Sequence, residues 1–333
     1  MHIGELPMII FTTVAQMSVG AFWILGLFQI LGQKRQLVQS SVDRVTNAGM
    51  YAAGPLLIFG FLAASFHLND PLHAPFTLLH LGSSWLSREL ISGVLYAGFG
   101  AIFAISMWFR LFSRRVRDIF AALTALAGLL LIISMVGVYW SLPTVPAWNT
   151  WFTWISFFGT TFLLGSLAVA LALSVTWRMH EGDAAANTKA KGWRAALRRG
   201  LLAEGKLEAE LNPFTATAIR LCTAIAIITA LIVLLCYPFH IMQLALSHGA
   251  GNEVAHAMMT HGYLAIRLIL LAAVVVVLAL AVRKRSELTE KPSAKLTWIV
   301  TFSFALALIS ELLGRGLHYE GLIRSGINTL VNQ

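Results

Sequence analysis

Three of the ten histidines fall in one short stretch of a chain that carries few charges, and acid–base chemistry is best sought there. Residues 59–93, FGFLAASFHLNDPLHAPFTLLHLGSSWLSRELISG, hold His67, His73 and His80 together with Asp70, Arg88 and Glu89. An apolar run ends at His67, Asp70 and Pro71, and a new apolar helix is predicted to start behind Arg88 and Glu89. Imidazoles and a carboxylate held at the edge of hydrocarbon suit a small molecule that carries protons or charge. Read without chemistry, the same stretch is a surface loop with helix-capping charges.

A second group lies near the C-terminus. In ISELLGRGLHYEG, Glu311 and Arg315 stand at i and i+4, a spacing that allows a carboxylate and a guanidinium to pair on one helix face. Arg267 is placed near the start of the preceding apolar run. The group reads either as a helix-end ion pair that locks a bundle or as the completion, by Glu311, His318 or Tyr319, of a pocket begun by His67 and Glu89. Cys222 and Cys236 share one apolar segment without CxxC or Cys/His spacing, so neither a disulfide framework nor a metal site is indicated. A membrane haem needs histidine pairs on facing spans at similar depth. His240, His248, His256, His261 and His318 are predicted at span ends or in connectors, so no haem is expected. Trp148, Trp151 and Trp154 read as an interfacial aromatic belt.

The elements that must position these residues are membrane helices. With 58% hydrophobic and 12% charged residues, the 333-residue chain is an all-α polytopic membrane protein by composition. Apolar stretches long enough to cross a bilayer occur at about 6–30, 46–66, 90–110, 118–140, 151–177, 216–240, 262–282 and 296–313, which predicts eight transmembrane helices. The first has no basic leading region and reads as a retained span. Most of the 24 Lys and Arg lie in the connectors at 31–45, 110–117, 178–215 and 283–295. By the positive-inside rule these are cytoplasmic, which puts both termini and the 67–89 connector on the outer, periplasmic side of a bacterial inner membrane. The net charge of +9 is thus a topology signal and not a nucleic-acid footprint. Three regions follow: a first four-helix set at 1–177, a basic amphipathic connector at 178–215 suited to an anionic lipid surface, and a second four-helix set at 216–333.

Five patches, in order along the chain, carry a resemblance: ELPMIIFTTVAQMSVGAFW, the ASFHLNDP turn, LSRELISG, MVGVYWSLPTVPAW and ELLGRGLHY. Together they resemble the membrane anchor subunit of bacterial dimethyl sulfoxide reductase. The resemblance implies an eight-helix anchor that oxidises menaquinol to menaquinone near its outer face without haem. It also implies a four-cluster iron–sulfur subunit and a molybdopterin catalytic subunit docked on that face. It ties His67 and Glu89 to the quinol site; Glu311 and Arg315 match the family's E-L-x-G-R patch and join the candidate site by charge and position, as does Arg88 beside Glu89. His73 and Leu79–His80 depart from the pattern, standing where basic residues are expected.

The chemistry fits the residues on its own terms. Quinol oxidation needs acceptors for two hydroxyl protons, and a neutral imidazole with a partly buried carboxylate supplies suitable bases. A secondary transporter also uses scattered intramembrane charges, but Gly54–Pro55 and Pro238 do not fall in matching positions of the two halves. A purely structural tether for a soluble partner is the third reading.

Overall fold

In the membrane every backbone polar group must be satisfied within its own segment, so long apolar runs become helices. The computed structural model describes residues 5–34, 42–43, 46, 49–50, 80–109, 111–186, 211–260, 262–283 and 293–325. Eight helices have described bounds: α1 (Leu6–Lys34), α2 (Trp85–Trp108), α3 (Arg114–Trp140), α4 (Trp151–Ala186), α5 (Leu211–Ala245), α6 (Ala250–Thr260), α7 (Tyr263–Arg283) and α8 (Ala294–Glu320). All but α6 are long and apolar enough to cross a membrane, which makes seven candidate spans among the described residues. The span expected at 46–66 and the amphipathic segment at 187–210 lie outside the described residues.

Most predicted spans extend further than hydropathy alone indicates, and two of the extensions change the reading of the site. Helix α2 begins at Trp85 because the Ser84 hydroxyl accepts from the Ser87 amide and caps it, so Arg88 and Glu89 lie inside the helix and not ahead of it. Helix α8, expected to end near residue 313, runs to Glu320, so Glu311, Arg315, His318 and Tyr319 are all helical, the last two in its final turn. The short α6 was not foreseen; Val254, Ala255 and Met258 form its buried stripe. Gly249 (φ 66°) and Gly262 (φ 73°) sit on either side of it in the left-handed region that turns of this kind require.

Helix α4 is the hub: it packs on α1, α3, α5 and α8, so the two halves of the chain share one interior. Helix α1 is also central, and its approach to α4 is set by glycines. A Cβ at Gly20 would collide with the Thr161 carbonyl oxygen, and one at Gly165 would lie 2.5 Å from the Gly20 backbone. Close helix approach through small residues is the usual route to packing in lipid, where apolar side chains gain little by leaving the solvent. Helices α2 and α3 pair as a hairpin, and α7 packs on α8 and α5. The buried apolar residues form three layers along the bundle. One contains Ile9, Tyr139, Trp148, Phe157, Tyr237 and Leu317; a middle one contains Leu163, Leu167, Val233 and Leu271; the third contains Leu25, Phe28, Trp177 and Phe214. The first layer, where α1, α2, α4 and α7 start and α3, α5 and α8 end, surrounds the polar residues that matter for function.

Candidate functional site

Four charged side chains are buried in or beside that layer: Glu89, Arg267, Glu311 and Arg315. Lipid and packed protein both make isolated ions costly, so each must find a partner. Arg267 reaches from α7 across to α8, where its guanidinium fits the notch left by Gly314; a Cβ there would overlap Arg267 Nη1. In this seat Arg267 Nη2 lies 3.6 Å from Glu311 Oε1, with both side chains at most 2% exposed. The Arg267 guanidinium also stands 4.7 Å over the Tyr237 ring, and the Ser310 hydroxyl donates to the Arg267 carbonyl at 3.2 Å.

The ion pair expected between Glu311 and Arg315 is therefore replaced by one between Glu311 and Arg267. Arg315 turns toward α1 and α4, where Nη2 donates to Gln16 Oε1 at 2.8 Å and to Thr160 Oγ1 at 3.4 Å. The Thr160 hydroxyl donates in turn to Glu311 Oε2 at 2.6 Å, so one threonine bridges guanidinium and carboxylate. The Phe157 ring lies 3.8 Å from the Arg315 guanidinium carbon. Through Nη2 alone Arg315 thus ties α8 to both α1 and α4.

One turn further along α8, Tyr319 and Tyr139 share a hydroxyl–hydroxyl hydrogen bond of 2.9 Å. Glu89 is buried within electrostatic range of both phenols. It is brought there by Trp85, whose indole lies directly on Gly137 of α3, where any Cβ would collide with the ring. The Glu89 carboxylate has no hydrogen-bond or ion-pair partner among the described residues. Arg88, its neighbour, faces the other way: it donates to the carbonyls of Leu81 (2.9 Å) and Gly82 (2.7 Å) and stacks on Trp85 at 4.4 Å. Arg88 thus fastens the turn ahead of α2. His80 is exposed in that turn, its carbonyl accepting from the Ser83 and Ser84 amides. His67, Asp70 and His73 lie outside the described residues.

Between α4, α5, α6 and α8 a narrow cleft runs in from the same edge, lined by Trp148, Thr153, Ser156, His240, Arg267 and His318 among others. His318 lies in the last turn of α8, a helix end as expected, and His240 lies near the end of α5. His240 is buried within α5, two residues beyond Pro238, and stacks on Phe152 at 4.5 Å; His318 stacks on Trp148 at 5.4 Å and meets Tyr139 edge-on at 4.7 Å. Trp148 is likewise not a lipid-facing belt residue: it is buried and its indole donates to the His318 carbonyl at 2.6 Å. Trp151, 44% exposed, keeps the belt position. Several of these groups have buried polar atoms with no hydrogen-bond partner among the described residues: His240 Nδ1, His318 Nε2, Arg267 Nε and Glu311 Oε1.

The structure thus joins Glu89, Glu311 and Arg315 at one end of the bundle and sends Arg88 elsewhere. It adds Gln16, Thr160, Tyr139, Tyr237 and Gly314, to which sequence reasoning gave no role, and His240, which it weighed only as a haem ligand. The signal for Gln16 was present, since an amide inside a membrane-length apolar run needs a partner. Nothing in the sequence marked Thr160, and Gly314 stood in the E-L-x-G-R patch without an assigned role.

A family model described as DMSO reductase anchor subunit (DmsC) matches residues 1–188. The protein is 28% identical over 315 residues to the C subunit of anaerobic dimethyl sulfoxide reductase from Escherichia coli strain K12, a match that covers 95% of this sequence and 94% of that one. It is 32% identical over 180 residues to the subunit of the same name from Haemophilus influenzae, covering 53% of this sequence and 61% of the relative. A further relative is the YnfH subunit of anaerobic dimethyl sulfoxide reductase from Escherichia coli, at 27% over 169 residues, covering 51% and 57%. A bundle of membrane-length helices, the ordered sequence patches and a family match across more than half of the chain converge: this multi-pass bacterial membrane protein belongs to the DMSO reductase anchor subunit (DmsC) family.

Proposed function

We propose that this anchor oxidises menaquinol and passes the electrons to a four-cluster iron–sulfur subunit, which feeds a molybdopterin catalytic subunit in anaerobic respiration. In this reading the chain has eight spans in two four-helix sets, with 46–66 supplying the span that is not described. Both termini and the site lie on the periplasmic side, where the two partner subunits dock. Haem has no part in it. The observation that carries the reading is the buried Glu89 carboxylate, which has no partner among the described residues, beside the Tyr139–Tyr319 hydroxyl pair at the bundle end where Arg315 and Glu311 are held.

Two-electron oxidation of a quinol releases two protons, and the chain's own residues divide the work. Glu89 and, from the preceding connector, His67 take the hydroxyl protons, a role that requires bases within hydrogen-bond reach of the ring oxygens. The Tyr139–Tyr319 pair and the fixed Arg315 guanidinium supply donors that orient a ring oxygen. Glu311 neutralises the arginines and keeps them in place. The packed aromatic wall of Trp148, Phe157 and Tyr139 excludes bulk water from one side.

The experiment is a comparison of electron donors in the assembled complex. His67→Ala and Glu89→Ala are expected to leave assembly intact and suppress menaquinol-dependent reduction of the terminal acceptor. An artificial donor that feeds the catalytic subunit directly continues to work. Unchanged quinol turnover in both variants would place the site elsewhere, and failure of both donors would make the residues structural. Orientation is read separately: a cytoplasm-only reporter is expected to be active after Arg115 or Lys206 and silent after Gln333.

A further inference from the structure

Several of the buried polar atoms without hydrogen-bond partners among the described residues lie in or beside one cleft. Arg267, Glu311 and His240 are 1%, 2% and 3% exposed, yet Arg267 Nε, Glu311 Oε1 and His240 Nδ1 have no hydrogen-bond acceptor or donor among the described residues, and His318 Nε2 joins them. Leaving so many buried polar atoms unsatisfied is costly, and native proteins avoid it by admitting water where the walls are polar and the space suffices. The cleft meets both conditions. Thr153, Ser156, His240, Arg267 and His318 line it, it is open at the bundle edge, and it is too narrow for an organic ring without rearrangement. At its inner wall His318 contacts Tyr139 and Tyr319, the hydroxyl pair beside Glu89.

We propose that this cleft is a hydrated proton outlet, in which the Tyr139–Tyr319 hydroxyls and the His318 imidazole hand a proton from Glu89 to water held by His240, Arg267 and Glu311. The inference rests on the quinol-oxidising reading above, which supplies the proton. One quinol O–H bond breaks, its proton passes to the Glu89 carboxylate and its electrons leave toward the iron–sulfur partner. Glu89 then returns to its ionised form: a phenol oxygen accepts the proton as it gives up its own, water in the cleft passes that proton to His318 Nε2, and the imidazolium releases it from Nε2 to water that carries it to the surface. The arginines take no proton. They fix the water and, with Glu311, hold an electrostatic balance that neither traps an excess proton nor repels it. Such an outlet separates the proton's way out from the face through which quinol enters.

Two measurements on the intact complex test it. Radiolytic hydroxyl-radical labelling in isotopically marked water reads hydration directly, without any quinol. Buried Met258 and Trp148, both on the cleft wall, are expected to be labelled, while buried Leu167 in the middle layer is not. Ser156→Leu fills the cleft without touching the proposed quinol ligands. It is expected to lower menaquinol-dependent turnover by at least about ten-fold and enlarge the slowing in heavy water, with quinol affinity and artificial-donor turnover unchanged. His240→Phe preserves the ring stack on Phe152, removes the imidazole and is expected to act in the same direction, more weakly. It stands in should Ser156→Leu fail to assemble. Unlabelled Met258 and Trp148, or quinol turnover and heavy-water response unchanged in the variants while Glu89→Ala still suppresses oxidation, would overturn the outlet and leave the quinol reading standing. Absence of menaquinol oxidation in the wild-type complex would remove the proton source and with it both readings, even with a labelled cleft.

Discussion

Helices α1 and α7 look alike as strings of letters, yet they occupy opposite environments. Most of α1 is buried, including Thr12, Thr13, Gln16 and Ser18, whereas most of α7 faces outward with Ile266, Ile269, Val276 and Leu280 on its open side. The more apolar helix is the peripheral one. In lipid the periphery tolerates only hydrocarbon, while the interior accepts hydroxyls and amides that bond to neighbouring helices. Small polar residues thus mark the centre of this bundle and uninterrupted aliphatic runs mark its rim. The exception on α7 is Arg267, which is buried because its long arm reaches the Gly314 notch.

This contrast can be broken at four places, in order of falling effect. Removing one half of the buried pair by Arg267→Ala or Glu311→Ala leaves an uncompensated charge and is expected to destabilise the bundle by about 3–5 kcal/mol; unfolding of the purified complex in a denaturing detergent titration measures it. Gly20→Val drives a side chain into the Thr161 carbonyl at the α1–α4 contact and is expected to cost about 1–3 kcal/mol or more, read as loss of assembled complex in the membrane. Gln16→Leu strips Arg315 of its 2.8 Å acceptor and is expected to cost about 1–3 kcal/mol in the same titration. Ile269→Ala, on the open face of α7, is expected to stay within about 0.5 kcal/mol of wild type. A cost for Ile269→Ala as large as that for Gly20→Val would mean that another protein surface, and not lipid, covers α7.

Hydropathy and charge were enough to read the class of the protein and seven of its spans, because both are properties of contiguous residues. Pairing across helices was beyond that reach. Glu311 has a cation four residues away on its own helix, so sequence logic matched it with Arg315, but the partner that binds it sits on α7. The decisive residue is Gly314, and a glycine in an apolar helix says nothing about which guanidinium will fill its notch. Helix ends misled in the same way. Glu89 was expected ahead of its helix and His318 beyond its span because hydropathy falls near them, whereas α2 begins at the Ser84 cap and α8 runs on to Glu320. Trp148 was read from its spacing with Trp151 and Trp154, yet its indole turns inward to the His318 carbonyl.

The seat of Arg267 also bears on how the chain is made. The arginine belongs to α7, but its carboxylate and its notch both belong to α8, the helix synthesised next. While α7 alone is in the translocation machinery, it carries a cation whose insertion costs about 2.5–3.5 kcal/mol with nothing yet present to offset it. The aliphatic run that follows Arg267 retains the helix in the meantime, and arrival of α8 neutralises it. A chain truncated between the two helices is therefore expected to leave α7 prone to slip toward the side where Arg267 can reach water.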